Sequence, residues 1–201
     1  MAKILILYST TDGHTREIAR RIAEQIAQAG HAPTRVDVQD PPAGFTLADF
    51  DAAIVGASIH MEKHQRRMIA FVRERAAELA RLPGAFFSVC MTAAGTGERD
   101  RAHARAYIDR FVARTGWLPA NTASFAGAVL YTRYGFLKRL VMRQIMKARG
   151  RDTDTTRDFV YTDWQQVADF TDRFLAGLAT GSHPPRDPRH ADVASGASSR
   201  R

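Results

Sequence analysis

Seven consecutive residues, Ser9-Thr10-Thr11-Asp12-Gly13-His14-Thr15, bring together four hydroxyls, one glycine and the backbone N–H groups that open a helix. Hydroxyls and N–H groups donate hydrogen bonds, and the positive end of a helix dipole favours an anion, so the spacing points to phosphate chemistry. An ordinary N-cap uses one such side chain, accepting from the first turn. Four exceed that need. The loop contains neither G-x-x-x-x-G-K-[ST] nor G-x-G-x-x-G, so a nucleotide γ-phosphate and a dinucleotide pyrophosphate are both disfavoured. With no cation at its centre, it suits a terminal phosphomonoester. Ser9, Thr10, Thr11, Asp12, Gly13, His14 and Thr15 are the expected contacts.

Two further segments can approach a flat ligand. Gly56-Ala57-Ser58-Ile59-His60 and Met91-Thr92-Ala93-Ala94-Gly95 each follow or end an apolar run. Small residues let a backbone close on a planar ring, although short connections favour small residues in any case. Three such loops at one sheet edge favour a ring site, with Ala57, Ser58, Ile59, Met91, Thr92 and Ala93 as contacts. The second and third loops lack a Trp and Tyr to sandwich the ring, so its face is expected to be open to a bulky substrate.

His60 and His64 have the i, i+4 spacing of a helical metal pair, but no third ligand accompanies them, and a solvated loop and helix start without metal are expected. Cys90 is the single cysteine, which excludes an intrachain disulfide. Between Phe86-Phe87-Ser88-Val89 and Met91 it reads as a small hydrophobe at a strand end. No side chain stands out as a general base, and the catalytic residue is unassigned.

Charge is concentrated elsewhere. Tyr131 to Arg151 carries seven basic residues and no acidic one, against a net charge of +8 for the whole chain. Phe136, Leu137, Leu140, Val141, Ile145 and Met146 would line one side of a helix, with Lys138, Arg139, Arg143, Lys147 and Arg149 at its flanks and back. A basic amphipathic helix of this kind reads as an element docked on an anionic membrane surface, each cation adding about 1 kcal/mol. A core-packed helix with a solvated cationic face would show a similar pattern. No reading module for nucleic acid is present, and none is expected as a partner. Arg133, Lys138, Arg139, Arg143 and Lys147 are the candidates for substrate or membrane contact.

The scaffold that must place these groups is an alternation of strands and helices. Apolar runs at Lys3–Tyr8, Ala52–Ile59 and Ala85–Cys90, with a short second strand at Thr34–Val38 and a fifth at Thr122–Leu130, predict five strands. Stripes such as Ile18, Ala19, Ile22, Ala23, Ile26 and Ala27 predict the intervening helices. The expected fold is α/β: a doubly wound five-stranded parallel sheet of order 2-1-3-4-5, with ligands outside the carboxyl ends of strands one and three. Phe159 to Trp164 reads as the fifth strand resumed after a basic insertion over 131–158. One domain is expected over 1–179, then a disordered tail over 180–201. No run approaches the ~18 apolar residues of a membrane span. The opening lacks a cleaved-signal pattern, so a cytoplasmic location is expected.

The hydroxyl loop after the first strand resembles the phosphate loop of the flavodoxin family. Long-chain flavodoxins split the fifth strand with a loop of about the same length. Together with Ile54-Val55-Gly56-Ala57-Ser58-Ile59 and an insertion closing on Val160-Tyr161-Thr162-Asp163-Trp164, residues 3–178 resemble the bacterial quinone-dependent protoporphyrinogen oxidases, flavodoxin-like enzymes of haem biosynthesis. The resemblance implies a bound FMN and oxidation of protoporphyrinogen IX to protoporphyrin IX in three two-electron steps. A membrane quinone, menaquinone or ubiquinone, would take the electrons at the inner face of the cell membrane. Arg133, Lys138 and Arg139 are then candidates for the two propionates on charge alone. A homo-oligomer is left open. An electron-carrier flavodoxin and an NAD(P)H-quinone reductase stand as alternatives. A sequence pI near 10.2 counts against a carrier, since carriers are generally acidic, and no second dinucleotide signature supports a reductase.

Overall fold

The computed structural model of the chain describes residues 1–148 and 150–180. Strand β1, Lys3–Ser9, shows why the opening run is unbroken. Ile4, Ile6 and Tyr8 face one apolar layer, where they meet Ile54, Phe87, Ile18, Ile22 and Phe170. Leu5 and Leu7 face the opposite layer, with Val55, Phe86, Met68, Val72, Phe111 and Trp117. A strand covered on both sides has no polar alternation to show.

The remaining elements follow as α1 (His14–Gln28), β2 (Ala32–Asp37), β3 (Ala52–His60), β4 (Lys63–His64), α2 (Arg66–Glu74), α3 (Ala76–Leu79) and β5 (Gly84–Cys90). The second half contains α4 (Glu98–Thr115), β6 (Asn121–Ala126), β7 (Ala128–Val129), α5 (Phe136–Ala148), β8 (Phe159–Val160) and α6 (Trp164–Ala179). The main sheet runs β2-β1-β3-β5-β6, with all four pairings parallel. Over its five principal strands this is the expected 2-1-3-4-5 order, the flavodoxin-like arrangement. Helices α1 and α6 cover one face, and α2 and α4 the other. Within the sheet, Phe87 Cζ stands 2.0 Å from where a Cβ on Gly56 would lie, so this glycine makes room for a core ring.

Four details differ from the sequence-based expectation. The helix after β3 breaks at Arg75 into α2 and α3. Strand β3 continues into a tight hairpin with β4, whose turn residues Met61 and Glu62 take φ of 47° and 63°. His64 therefore lies on a strand, not in a solvated loop. It is only 6% exposed, with Nε2 3.0 Å from Ser88 Oγ and its ring against Phe86 and Phe111.

The third difference is the fifth strand, which ends at Ala126; after Gly127 the chain forms β7, which pairs antiparallel with β8. The segment returning from the insertion runs opposite to its partner, so it closes a two-stranded ribbon and does not rejoin the parallel sheet. The fourth is Ala27 on α1, which is exposed and outside the buried stripe. Of the tail expected over 180–201, all but Thr180 lies outside the described residues, as does Arg149.

Candidate functional site

The carboxyl ends of β1, β3 and β5 carry the three loops, and Gly13 fixes the first. Its φ of 91° is left-handed, and its N–H donates to Thr10 Oγ1 at 2.9 Å. The turn delivers the chain into α1 with no side chain capping the first-turn N–H groups. The ordinary N-cap is therefore not what the hydroxyls provide. Ser9 Oγ and Thr15 Oγ1 are buried without a hydrogen-bond partner. A buried hydroxyl left unpaired costs about 1–3 kcal/mol. Two of them beside an uncapped helix N-terminus fit a phosphomonoester, which would accept from both.

Most of the expected contacts converge on one cavity. Thr10, Thr11, Asp12, His14 and Thr15 line it from the first loop, Ser58 and Ile59 from the second, and Met91 from the third. Ala57 is fully buried within β3. Ala93 lines a different cavity beside α4, and Thr92 bonds toward the Tyr107 hydroxyl. That second cavity, about 630 Å³, lies between α4, β6 and α6, and it gathers none of the unpartnered buried polar atoms found among the described residues.

Other groups at or beside the cavity were not assigned to the ring or phosphate from sequence. Gln65 ties the first two loops, its Nε2 donating to Ser58 Oγ at 2.6 Å and Thr11 Oγ1 at 3.3 Å. Tyr134, Lys138 and Met142 reach the cavity from the insertion. The expected open face is therefore partly covered, by a tyrosine from a segment other than the three loops. Burial pushes the Tyr134 phenol up to about 12, so it remains a neutral donor. Burial likewise lowers the His14 pKa, against the pull of Glu17.

The insertion helix presents the apolar side expected of it, with one residue reversed. Phe136 is 84% and Leu137 72% exposed, and Leu140, Val141 and Ile145 are also exposed. Met146 is fully buried, with Val129, Leu130, Tyr131 and Tyr134 around it. The cations divide in the same way. Arg143 and Lys147 are exposed. Arg139 turns inward, its Nε donating to the Tyr131 carbonyl at 3.1 Å and Nη2 to that of Tyr134 at 3.0 Å. Lys138 Nζ pairs with Asp12 Oδ1, and Arg133 Nη1 abuts the backbone of Gly13. Among the described residues no helix is long and apolar enough to cross a membrane.

Comparison with known proteins agrees with this architecture. A family model described as "Flavodoxin domain" matches residues 5–156. A Leishmania major protein named protoporphyrinogen IX dehydrogenase (quinone) is 40% identical over 176 residues, covering 87% of this chain and 75% of its own length. An Escherichia coli K12 protein of the same name is 36% identical over 171 residues, covering 84% and 92%. Among solved structures, oxidised Flavodoxin 1 from Bacillus cereus matches with a TM-score of 0.50 at 14% identity, over 87% of this chain and 97% of its own. That last likeness concerns the fold alone.

Proposed function

The chain belongs to the flavodoxin family, in the group that includes the protoporphyrinogen IX dehydrogenases, and from that premise we propose that it binds FMN and oxidises protoporphyrinogen IX to protoporphyrin IX, passing the electrons to a membrane quinone. The observation that carries the reading is the extent of likeness, most of the chain, to relatives bearing that name. Six electrons and six protons leave the porphyrinogen, and three quinones become quinols. When bound, FMN supplies the two-electron acceptor for each of the three steps.

The side chains do the placing. Ser9 and Thr15 hydroxyls, with the free N–H groups of α1, receive the phosphate. The small ends of β3 and β5 leave room for the ring, and Tyr134 and Met142 close over part of that room from the insertion. The exposed row from Phe136 to Ile145, flanked by Arg143 and Lys147, would rest on an anionic leaflet, where a quinone is within reach. No general base is assigned.

Turnover of protoporphyrinogen IX with a quinone acceptor, set against turnover of NAD(P)H with the same acceptor, tests the reading. Quinone-dependent loss of porphyrinogen is the expected result. Turnover of NAD(P)H alone would make the chain a quinone reductase. Flavin binding with neither turnover would make it a carrier.

A further inference from the structure

The loop that fits a phosphate contains a carboxylate, Asp12, and no Lys or Arg. A dianion placed there would meet a negative charge of the protein's own, in a partly buried site where such repulsion is poorly screened. Asp12 is answered from the insertion. Lys138 Nζ lies 2.5 Å from Asp12 Oδ1, and the Tyr134 hydroxyl donates to Asp12 Oδ2 at 3.3 Å. The Lys138 ammonium also stands 4.2 Å over the Tyr134 ring, which fixes its direction. A second cation arrives beside it: Arg133 Nη1 is 3.3 Å from where a Cβ on Gly13 would be, against the left-handed residue that opens α1. Asp12 and Lys138 are 126 residues apart in sequence.

We propose that the phosphate site is composite, with Lys138 and Arg133 of the insertion supplying the positive charge that the hydroxyl loop lacks. Lys138 acts through Asp12, whose charge it offsets, and is a positioning residue. Arg133 stands beside Gly13, from where its guanidinium would reach a phosphate held by the loop. Both are thereby assigned to the cofactor's phosphate, not to substrate propionates or lipid headgroups. The proposal rests on FMN occupying this loop.

The test compares two ligands that differ only in the phosphate. Protein freed of flavin is titrated with FMN and with riboflavin, following quenching of flavin fluorescence. Wild-type protein should bind FMN far more tightly. Lys138→Gln and Arg133→Gln should each weaken FMN about tenfold or more, the effect of a lost charge-assisted contact, and leave riboflavin unchanged. Asp12→Asn should tighten FMN severalfold, and adding it to Lys138→Gln should recover most of the loss. These differences should shrink as salt rises. Binding of neither flavin by the wild type would overturn the FMN reading and this proposal together. Equal binding of both by the wild type would overturn the composite site alone. Equal weakening of both flavins by Lys138→Gln, without rescue by Asp12→Asn, would give Lys138 a purely structural role and overturn the proposal. So would unchanged FMN affinity accompanied by lost vesicle or porphyrin binding.

Discussion

Thr162 and His14 meet at 2.6 Å across a sequence separation of 148 residues, while the Thr162 hydroxyl also donates to the Ala126 carbonyl at 2.6 Å. One hydroxyl has one hydrogen, so His14 is the donor to Thr162 and carries its proton on Nε2. The bond joins the first residue of α1 to the end of β6 and to the segment leaving the insertion. Thr162→Val should destabilise the protein by about 1–3 kcal/mol, because a buried carbonyl loses its donor. FMN should also bind more weakly, since α1 loses an anchor at its first turn. Thr162→Ser should restore both, and urea unfolding with flavin titration measures the pair.

The unpartnered hydroxyls give a prediction of opposite signs in one protein. Thr15→Val and Ser9→Ala remove buried polar groups that nothing satisfies without ligand. Flavin-free protein should become no less stable, or slightly more so, by thermal unfolding. FMN affinity should fall by about 0.5–1.5 kcal/mol for each hydroxyl. Loss of stability without loss of FMN affinity would reject the assignment.

His64 sets an acid limit. Burial first, then the positive charges of Arg110 and Arg114, lower its pKa to about 3 from the ordinary 6.5. Between those values the unfolded chain holds a proton that the folded chain refuses. Stability should therefore fall as pH drops below about 6.5, by up to ~1.4 kcal/mol per pH unit, and this group should have no effect above it. The burial that lowers His14 works in the same direction. His64→Gln should flatten the slope of unfolding free energy between pH 6 and 4, and an unaltered slope would assign the acid loss to other groups.

The exposed side of α5 should govern docking on membranes. Arg143→Gln with Lys147→Gln removes two solvent-facing cations, each worth about 1 kcal/mol near an anionic leaflet. Affinity for anionic vesicles should fall roughly thirtyfold and lose much of its salt dependence. Leu137→Ser with Val141→Ser should weaken binding through lost apolar burial, at any salt. FMN should stay bound in both variants, and turnover with quinone should fall more than turnover with a soluble acceptor. Vesicle binding that survives all four changes would refute membrane docking by this face.

What sequence could and could not convey follows from the range of the interactions. Strands β1, β3 and β5 were legible because burial on both faces makes each an apolar run. The hydroxyl loop was legible because its residues are contiguous. The inward turn of Met146 was not: the sequence groups it with Phe136, Leu137, Leu140, Val141 and Ile145, and periodicity alone does not separate it. Seven cations in one stretch read as contacts for a membrane or a substrate, and nothing local reveals that Lys138 answers an aspartate in the first loop. Gln65 and Tyr134 belong to no motif. His60 and His64 have helical spacing, yet Met61 and Glu62 adopt left-handed φ between them, which neither residue type announces.

The short ribbon of β7 and β8 sets Ala128 against Val160 and Val129 against Phe159. The polypeptide therefore departs from the sheet and comes back through a single narrow neck. Beyond that neck, Leu130, Tyr131, Tyr134 and Met146 pack in a cluster separate from both layers of the main core. Such a piece is a cassette. The five parallel strands close without it, and a two-residue turn spliced between Val129 and Phe159 would join the same ends. Surface and charge can thus be exchanged in one graft that leaves both layers of the main core in place, the adjustments falling on Asp12 and Met91, which the cassette touches.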